Sequence, residues 1–162
     1  MRTVIGVMGA GRPLDEAAFS VAYRLGALIA EQGWVLLTGG SPVGVMDAAS
    51  KGAHEAGGLV VGVIKSDDSR HASRYVDIAI CTGMGDARNV INVLSSDVVI
   101  ALPGGAGTLS EVALALKSGK NVISLGWDPG EAMRASGPGR LLDAASPDEA
   151  IELAGAVVRE QG

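Results

Sequence analysis

Short runs of β-branched and aliphatic residues alternate along the chain with longer, alanine-rich amphipathic segments, and most junctions between them carry glycine. That alternation predicts a parallel sheet covered by helices. Strands are expected at about residues 3–8, 34–38, 59–64, 77–81, 98–102 and 121–125, and helices at about 14–32, 45–56, 86–95, 108–118 and 147–160. The strand segments are nearly continuous in Val, Ile and Leu, the pattern of strands buried on both faces. The last helix opens on Ser146-Pro147-Asp148-Glu149, a capping box with proline at the first helical position. The expected architecture is a single-domain, Rossmann-like three-layer α/β sandwich over residues 1–162, with a mostly parallel sheet. Two stretches break the rhythm. Residues 65–75 are polar, with Asp67, Asp68, Arg70, His71 and Arg74, and residues 126–140 are rich in Gly and Pro. Both read as surface loops, and either could border a ligand.

Composition narrows the function classes. A chain of 162 residues is long enough to bury a full core without disulfides or metal staples. Thirteen Lys+Arg stand against 18 Asp+Glu, for a formal net charge of -5. No basic cluster offers the footprint that nucleic-acid binding needs. The longest apolar runs, such as residues 59–64, fall far short of the roughly 20 residues of a bilayer span. No cleavage-site pattern follows the first residues, so a cytoplasmic protein without membrane association is expected. Cys81 is the lone cysteine, and His54 and His71 are the two histidines. That inventory supplies neither a disulfide framework nor a structural zinc site. Asp67, Asp68 and His71 lack metal-ligand spacing, and no metal site is expected.

The glycines are informative when read by the strand they follow. The first strand runs into Gly9-Ala10-Gly11-Arg12-Pro13, the second into Gly39-Gly40-Ser41-Pro42-Val43-Gly44, and the fifth into Pro103-Gly104-Gly105-Ala106-Gly107-Thr108. In a parallel sheet these turns converge on the carboxyl edge, where ligands bind. A missing Cβ lets backbone N–H groups approach an anion, and the following helix N-terminus adds partial positive charge. Together they describe a phosphate cradle, although each turn alone could simply be a tight strand-to-helix connection. Familiar motifs do not fit. Leu14 and Ser110 stand where a dinucleotide fingerprint needs its third glycine, and Val45-Met46 replace the Lys and Ser/Thr of a P-loop.

Pro103-Gly104-Gly105-Ala106-Gly107-Thr108-Leu109-Ser110-Glu111 resembles the PGGxGTxxE motif of the LONELY GUY family, long misnamed lysine decarboxylases. Residues 39–46 resemble that family's glycine turn ending in GxM, and Arg88 occupies the place of its motif arginine. The resemblance extends over about residues 3–125. It implies hydrolysis of the N-glycosidic bond of a nucleoside 5'-monophosphate, releasing base and ribose 5-phosphate. Members usually carry Arg-Lys, whereas Asn89 follows Arg88 here. That pair and the plain first turn are more similar to a sister group, the molybdenum-cofactor carrier proteins, which share the fold and bind a phosphorylated pterin. The resemblance thus implies a phosphorylated nucleotide-like or pterin-like ligand, with a phosphoribohydrolase as the alternative. It requires no cofactor; a nucleotide, phosphate or molybdenum cofactor would be the bound molecule, in a homo-oligomer that is a dimer or tetramer. Lysine decarboxylation is disfavoured, because no Schiff-base lysine context is evident.

Candidate ligand contacts are Gly9, Gly11, Gly40, Ser41, Gly44, Gly104, Gly105, Ala106, Gly107 and Thr108, through backbone N–H groups and the Thr108 hydroxyl. Glu111 and Arg88 are the candidate catalytic residues. Glu111 would face the anomeric carbon or activate water. It also fits a capping box, bonding back to the Thr108 backbone N–H. Arg88 would bind phosphate or hold Glu111, or else pair with Asp86 on the surface. Asn89 and Asn92 could read a ligand edge or sit in solvent. Arg12 could add charge at the first turn. Met46 is read as core, and His54 and His71 as surface residues.

Overall fold

The computed structural model describes residues 1–161. Seven strands, β1 (Val4–Met8), β2 (Val35–Thr38), β3 (Leu59–Ile64), β4 (Ile78–Cys81), β5 (Val98–Ala101), β6 (Asn121–Leu125) and β7 (Leu141–Ala144), form one all-parallel sheet in the order β4-β3-β2-β1-β5-β6-β7. Six helices accompany them: α1 (Glu16–Glu31), α2 (Gly44–Glu55), α3 (Asn89–Leu94), α4 (Ala106–Lys117), α5 (Glu131–Arg134) and α6 (Pro147–Gln161). This is the expected Rossmann-like α/β fold. The order reverses between β1 and β5, the switch point at which such sheets bind ligands.

Alternate residues of each central strand face opposite layers. Ile5, Val7, Leu36, Val98 and Ile100 pack with α1, α2 and α6, while Met8, Leu37, Val99 and Ala101 pack with α3 and α4. Both faces of the central strands are therefore dry, which accounts for their uninterrupted aliphatic sequence. The β4 edge differs. Residues 65–77 connect it to β3 without a helix, and Ile78 and Ile80 remain half exposed.

Three expectations need correction. Residues 126–140 are not a single loop, since they hold the short helix α5. The hydrophobic pattern does not anticipate β7, the next strand after α5, which is four residues long with a polar Asp143 inside. The helix expected at 86–95 divides into a 3-10 turn, Gly85–Arg88, and α3. Other boundaries agree to within two residues. Asp15 caps α1 by accepting from the Ala18 N–H at 2.8 Å. At α6 the Ser146 hydroxyl accepts from the Glu149 N–H at 3.2 Å, while the Glu149 carboxylate reaches back to the Ala145 N–H at 2.7 Å.

Candidate functional site

The three glycine turns are laced together at the carboxyl edge. The Ala10 N–H donates to the Pro103 carbonyl (3.2 Å), and the Val45 N–H donates to the Ala10 carbonyl (2.9 Å). Gly44 serves this lacing. Its φ of 77° suits a residue without Cβ, and a Cβ there would overlap the Ala10 carbonyl oxygen.

Between the turns opens a cleft of about 440 Å³. Of the ten candidate ligand contacts, Gly9, Gly11, Gly40, Ser41, Gly105, Gly107 and Thr108 line it; Gly44, Gly104 and Ala106 do not. A Cβ on Gly104 would run into the Thr108 side chain, so that glycine, like Gly44, permits a close approach within the framework. The Gly40 N–H donates to Thr38 Oγ1 at 3.0 Å and is already engaged.

The α4 N-terminus is the most open donor set. Gly105 is its N-cap and no side chain caps it. The first bond onto that turn runs from the Leu109 N–H to the Gly105 carbonyl at 3.1 Å, leaving the N–H groups of Ala106, Gly107 and Thr108 without an intrahelical acceptor. Nothing lies within 4 Å of a Cβ built on Gly105 or Gly107. An anion at this end would meet free donors and the positive end of a 12-residue helix.

Arg88 and Glu111 form the charged wall. Arg88 is 9% exposed, not a surface partner of Asp86. Its Nη1 donates to Asn89 Oδ1 (2.7 Å) and its Nη2 to the Gly39 carbonyl (3.3 Å). The buried Nε has no partner among the described residues. Glu111 is 7% exposed and accepts from Asn92 Nδ2 at 2.8 Å. The capping-box alternative is overturned: α4 begins at Ala106, two positions before Thr108, and Glu111 turns to α3 instead. Burial pushes the Glu111 carboxyl above the usual range, against the opposing pull of Asn92 and Arg88. Burial likewise lowers Arg88, with Glu111 and Asp86 acting in the other direction.

Other readings also change. Met46 lines the cleft instead of being confined to the core, and His71 lines it with Lys65 and Ser66 from the β3–β4 connection. Nothing local in the sequence signals Lys65, because its place depends on how that connection folds back. Arg12 lines a second cavity of about 430 Å³ on the other side of the first turn. His54 lies 3.4 Å from Asp77, away from the cleft. Asn92 is enclosed against Glu111, and Asn89 donates to Ser110 Oγ at 3.2 Å.

The sheet order and the cleft at its reversal define a Rossmann-like α/β protein whose glycine turns and helix N-terminus converge on one site. Residues 2–151 match the SLOG cluster4 family, and the chain belongs to it, within the LONELY GUY superfamily and on its molybdenum-cofactor-carrier-like branch. The chain is similar to the molybdenum cofactor binding protein of the phototrophic bacterium Rippkaea orientalis, with 51% identity, TM-score 0.92 and 98% of each chain covered. It is also similar to the Moco carrier protein of Chlamydomonas reinhardtii, with 42% identity, TM-score 0.90 and 99% of each chain covered. A third relative is a cytokinin riboside 5'-monophosphate phosphoribohydrolase of Mycobacterium tuberculosis, 38% identical over 110 residues, 67% of this chain and 59% of that one. Similarity to these proteins supports ligand binding or a LONELY GUY-type activity. No helix among the described residues is long and apolar enough to cross a membrane.

Proposed function

We propose that this protein binds a phosphorylated, pterin-like or nucleotide-like ligand in the switch-point cleft, in one domain and in the manner of a molybdenum-cofactor carrier. The observation that carries this reading is the uncapped α4 N-terminus, whose free N–H groups and open glycine surface face a cleft of about 440 Å³. Gly105, Gly107 and Thr108 hold the phosphate, while Gly9, Gly11, Gly40 and Ser41 shape the walls around it. Similarity to two proteins named for the molybdenum cofactor supports a pterin as the cargo. The test is thermal stabilisation by phosphate, nucleoside monophosphates and a molybdopterin-type ligand, since a ligand that binds only the folded state raises its stability as RT ln(1 + [L]/Kd). Stabilisation without turnover is the expected result. No shift with any phosphorylated ligand would overturn the reading.

One observation favours a second reading, a nucleoside 5'-monophosphate phosphoribohydrolase. Glu111 and Arg88 stand 3.9 Å apart and both line the cleft. A buried carboxyl there could stabilise an oxocarbenium-like transition state or activate water. Release of free base from a bound nucleotide, abolished in Glu111→Gln, would establish it.

The protein is proposed to act as a homo-oligomer, a dimer or tetramer. Half-exposed Ile78 and Ile80 on β4 and Leu94 on α3 supply apolar surface that supports this. Light scattering on the eluted protein tests it.

A further inference from the structure

The cleft has two unlike ends. Its α4 end is built from backbone donors and carries the phosphate reading; the specificity inferred for the other end rests on that reading. The opposite end lies at the tip of β3, three strand positions away in the order β3-β2-β1-β5. At about 4.8 Å per strand spacing, the ends are separated by about 14 Å.

The far end is a constructed loop, even though the β3–β4 connection lacks regular structure. The Gly85 N–H donates to the Lys65 carbonyl (2.9 Å) and the Gly83 N–H to the Ser66 carbonyl (3.0 Å). These bonds fix the backbone of the loop against the turn that leads to Arg88. The Ser73 N–H donates to the Gly40 carbonyl (2.8 Å), and Ser73 Oγ donates to Asp47 Oδ1 (2.7 Å), which closes the loop onto the second glycine turn. Asp68 is occupied by the Arg70 backbone and guanidinium. Two donors are left over. Lys65 and His71 are exposed residues that line the cleft, and their side chains make no hydrogen bond or ion pair among the described residues.

The charge along the walls indicates what these donors can take. The lining holds Lys65 and Arg88, but also the carboxylates Asp86 and Glu111. Among these four side chains the charges balance, so they supply no spare pair of cations for a second phosphate. Beside the charged Arg88 and Glu111, the lining between the ends includes the accessible apolar residues Met46 and Pro42. The Met46 thioether suits contact with a flat ring. The arrangement fits one phosphate, a planar heterocycle, and hydrogen-bond acceptors on the ring edge remote from the phosphate.

We propose that Lys65 and His71 are specificity-determining residues that read the oxo edge of a heterocycle, so that the cleft prefers phosphorylated oxo-heterocycles, of the hypoxanthine, guanine or pterin type, over amino-substituted adenine. An oxo group accepts from the Lys65 ammonium and from a ring N–H of His71. An exocyclic amine at that position would oppose donor to donor, leaving only the neighbouring ring nitrogens of adenine to accept.

Inosine and adenosine 5'-monophosphates, which differ in the six-position group and the adjoining ring nitrogen, are titrated into the full chain beside inorganic phosphate. Inosine monophosphate is expected to bind about tenfold more tightly, the discrimination of one charge-assisted hydrogen bond. In Lys65→Met and His71→Ala that ratio falls toward one, Lys65→Arg restores it, and the remote exposed Lys117→Met leaves it intact. Circular dichroism and melting temperature establish that each variant is folded. Equal affinities in the wild-type protein, or a preference that survives loss of Lys65 and of His71, would overturn this inference while the phosphate reading stands. Absence of binding by phosphate and by both nucleotides would overturn the two together.

Discussion

Arg88 and Glu111 approach without joining: Arg88 Nη1 is 3.9 Å from Glu111 Oε1, and their side chains are 10% and 9% exposed. Each is held by a different neighbour, Arg88 by Asn89 and the Gly39 carbonyl, Glu111 by Asn92. The pair is thus a fixed charge arrangement in a wall, with both groups turned to one cleft.

Glu111→Ala removes the acceptor of the Asn92 amide and leaves Arg88 with an uncompensated buried charge. Unfolding by urea should show a loss of about 2–3 kcal/mol. Glu111→Gln retains an oxygen to accept from Asn92 and should lose less, although it too leaves Arg88 without the Glu111 charge. Equal losses in the two variants would show that the Asn92 contact contributes nothing.

The raised Glu111 carboxyl also gives a pH signature. The folded state holds this proton to higher pH than the unfolded chain, whose value is near 4.5. Stability from this group is therefore fully present below that value and declines as pH rises through the window above it. The melting temperature of wild type relative to Glu111→Gln should fall from the acidic side toward neutral pH, then level off once the carboxyl is ionised. A difference that does not vary with pH, or rises with it, would contradict the assignment.

Gly107→Ala should separate binding from stability. Nothing lies within 4 Å of the added methyl, and Gly107 is already inside α4. Helix propensity then favours the variant by up to about 1 kcal/mol. The methyl projects where the phosphate is read to sit and should weaken phosphate binding about tenfold, the equivalent of one hydrogen bond to a charged group. Melting temperature and titration calorimetry on the same sample check both parts.

Gly44→Ala should behave in the opposite way. Its φ of 77° and the overlap of a Cβ with the Ala10 carbonyl damage the framework. A loss of about 1–3 kcal/mol is expected in denaturant unfolding. Retention of wild-type stability would mean that the first two turns are laced more loosely than their hydrogen bonds indicate.

Much of this architecture was legible in the residues. Aliphatic runs located six strands, and the glycines after three of them located the convergent turns, because buried parallel strands and tight strand-to-helix connections each leave a local signature. The strand β7 left none: Leu141–Ala144 is a short edge strand with Asp143 in its middle, and its pairing with β6 defines it. Glu111 was legible as a candidate, but its partner was not. Thr108 and Glu111 have capping-box spacing, and only the folded chain shows that α4 starts earlier and that Asn92 takes the carboxylate. Lys65 and His71 lie in a polar segment whose placement depends on Gly83, Gly85 and Ser73. Each of those contacts is distant or irregular in sequence.

The uncapped start of α4 has a wider consequence. In the proposed reading its grip on an anion would come from peptide N–H groups, which every amino acid but proline supplies, so most substitutions there would crowd the grip without deleting it. Beyond the glycine turns the rest of the cleft is side chain, and can be rewritten one position at a time. A phosphate handle of this kind would make the attached group interchangeable: drift at a few wall positions could redirect the same scaffold from holding a cargo to cleaving one. Carrier and hydrolase names among the relatives of one chain are what such a division of labour would produce.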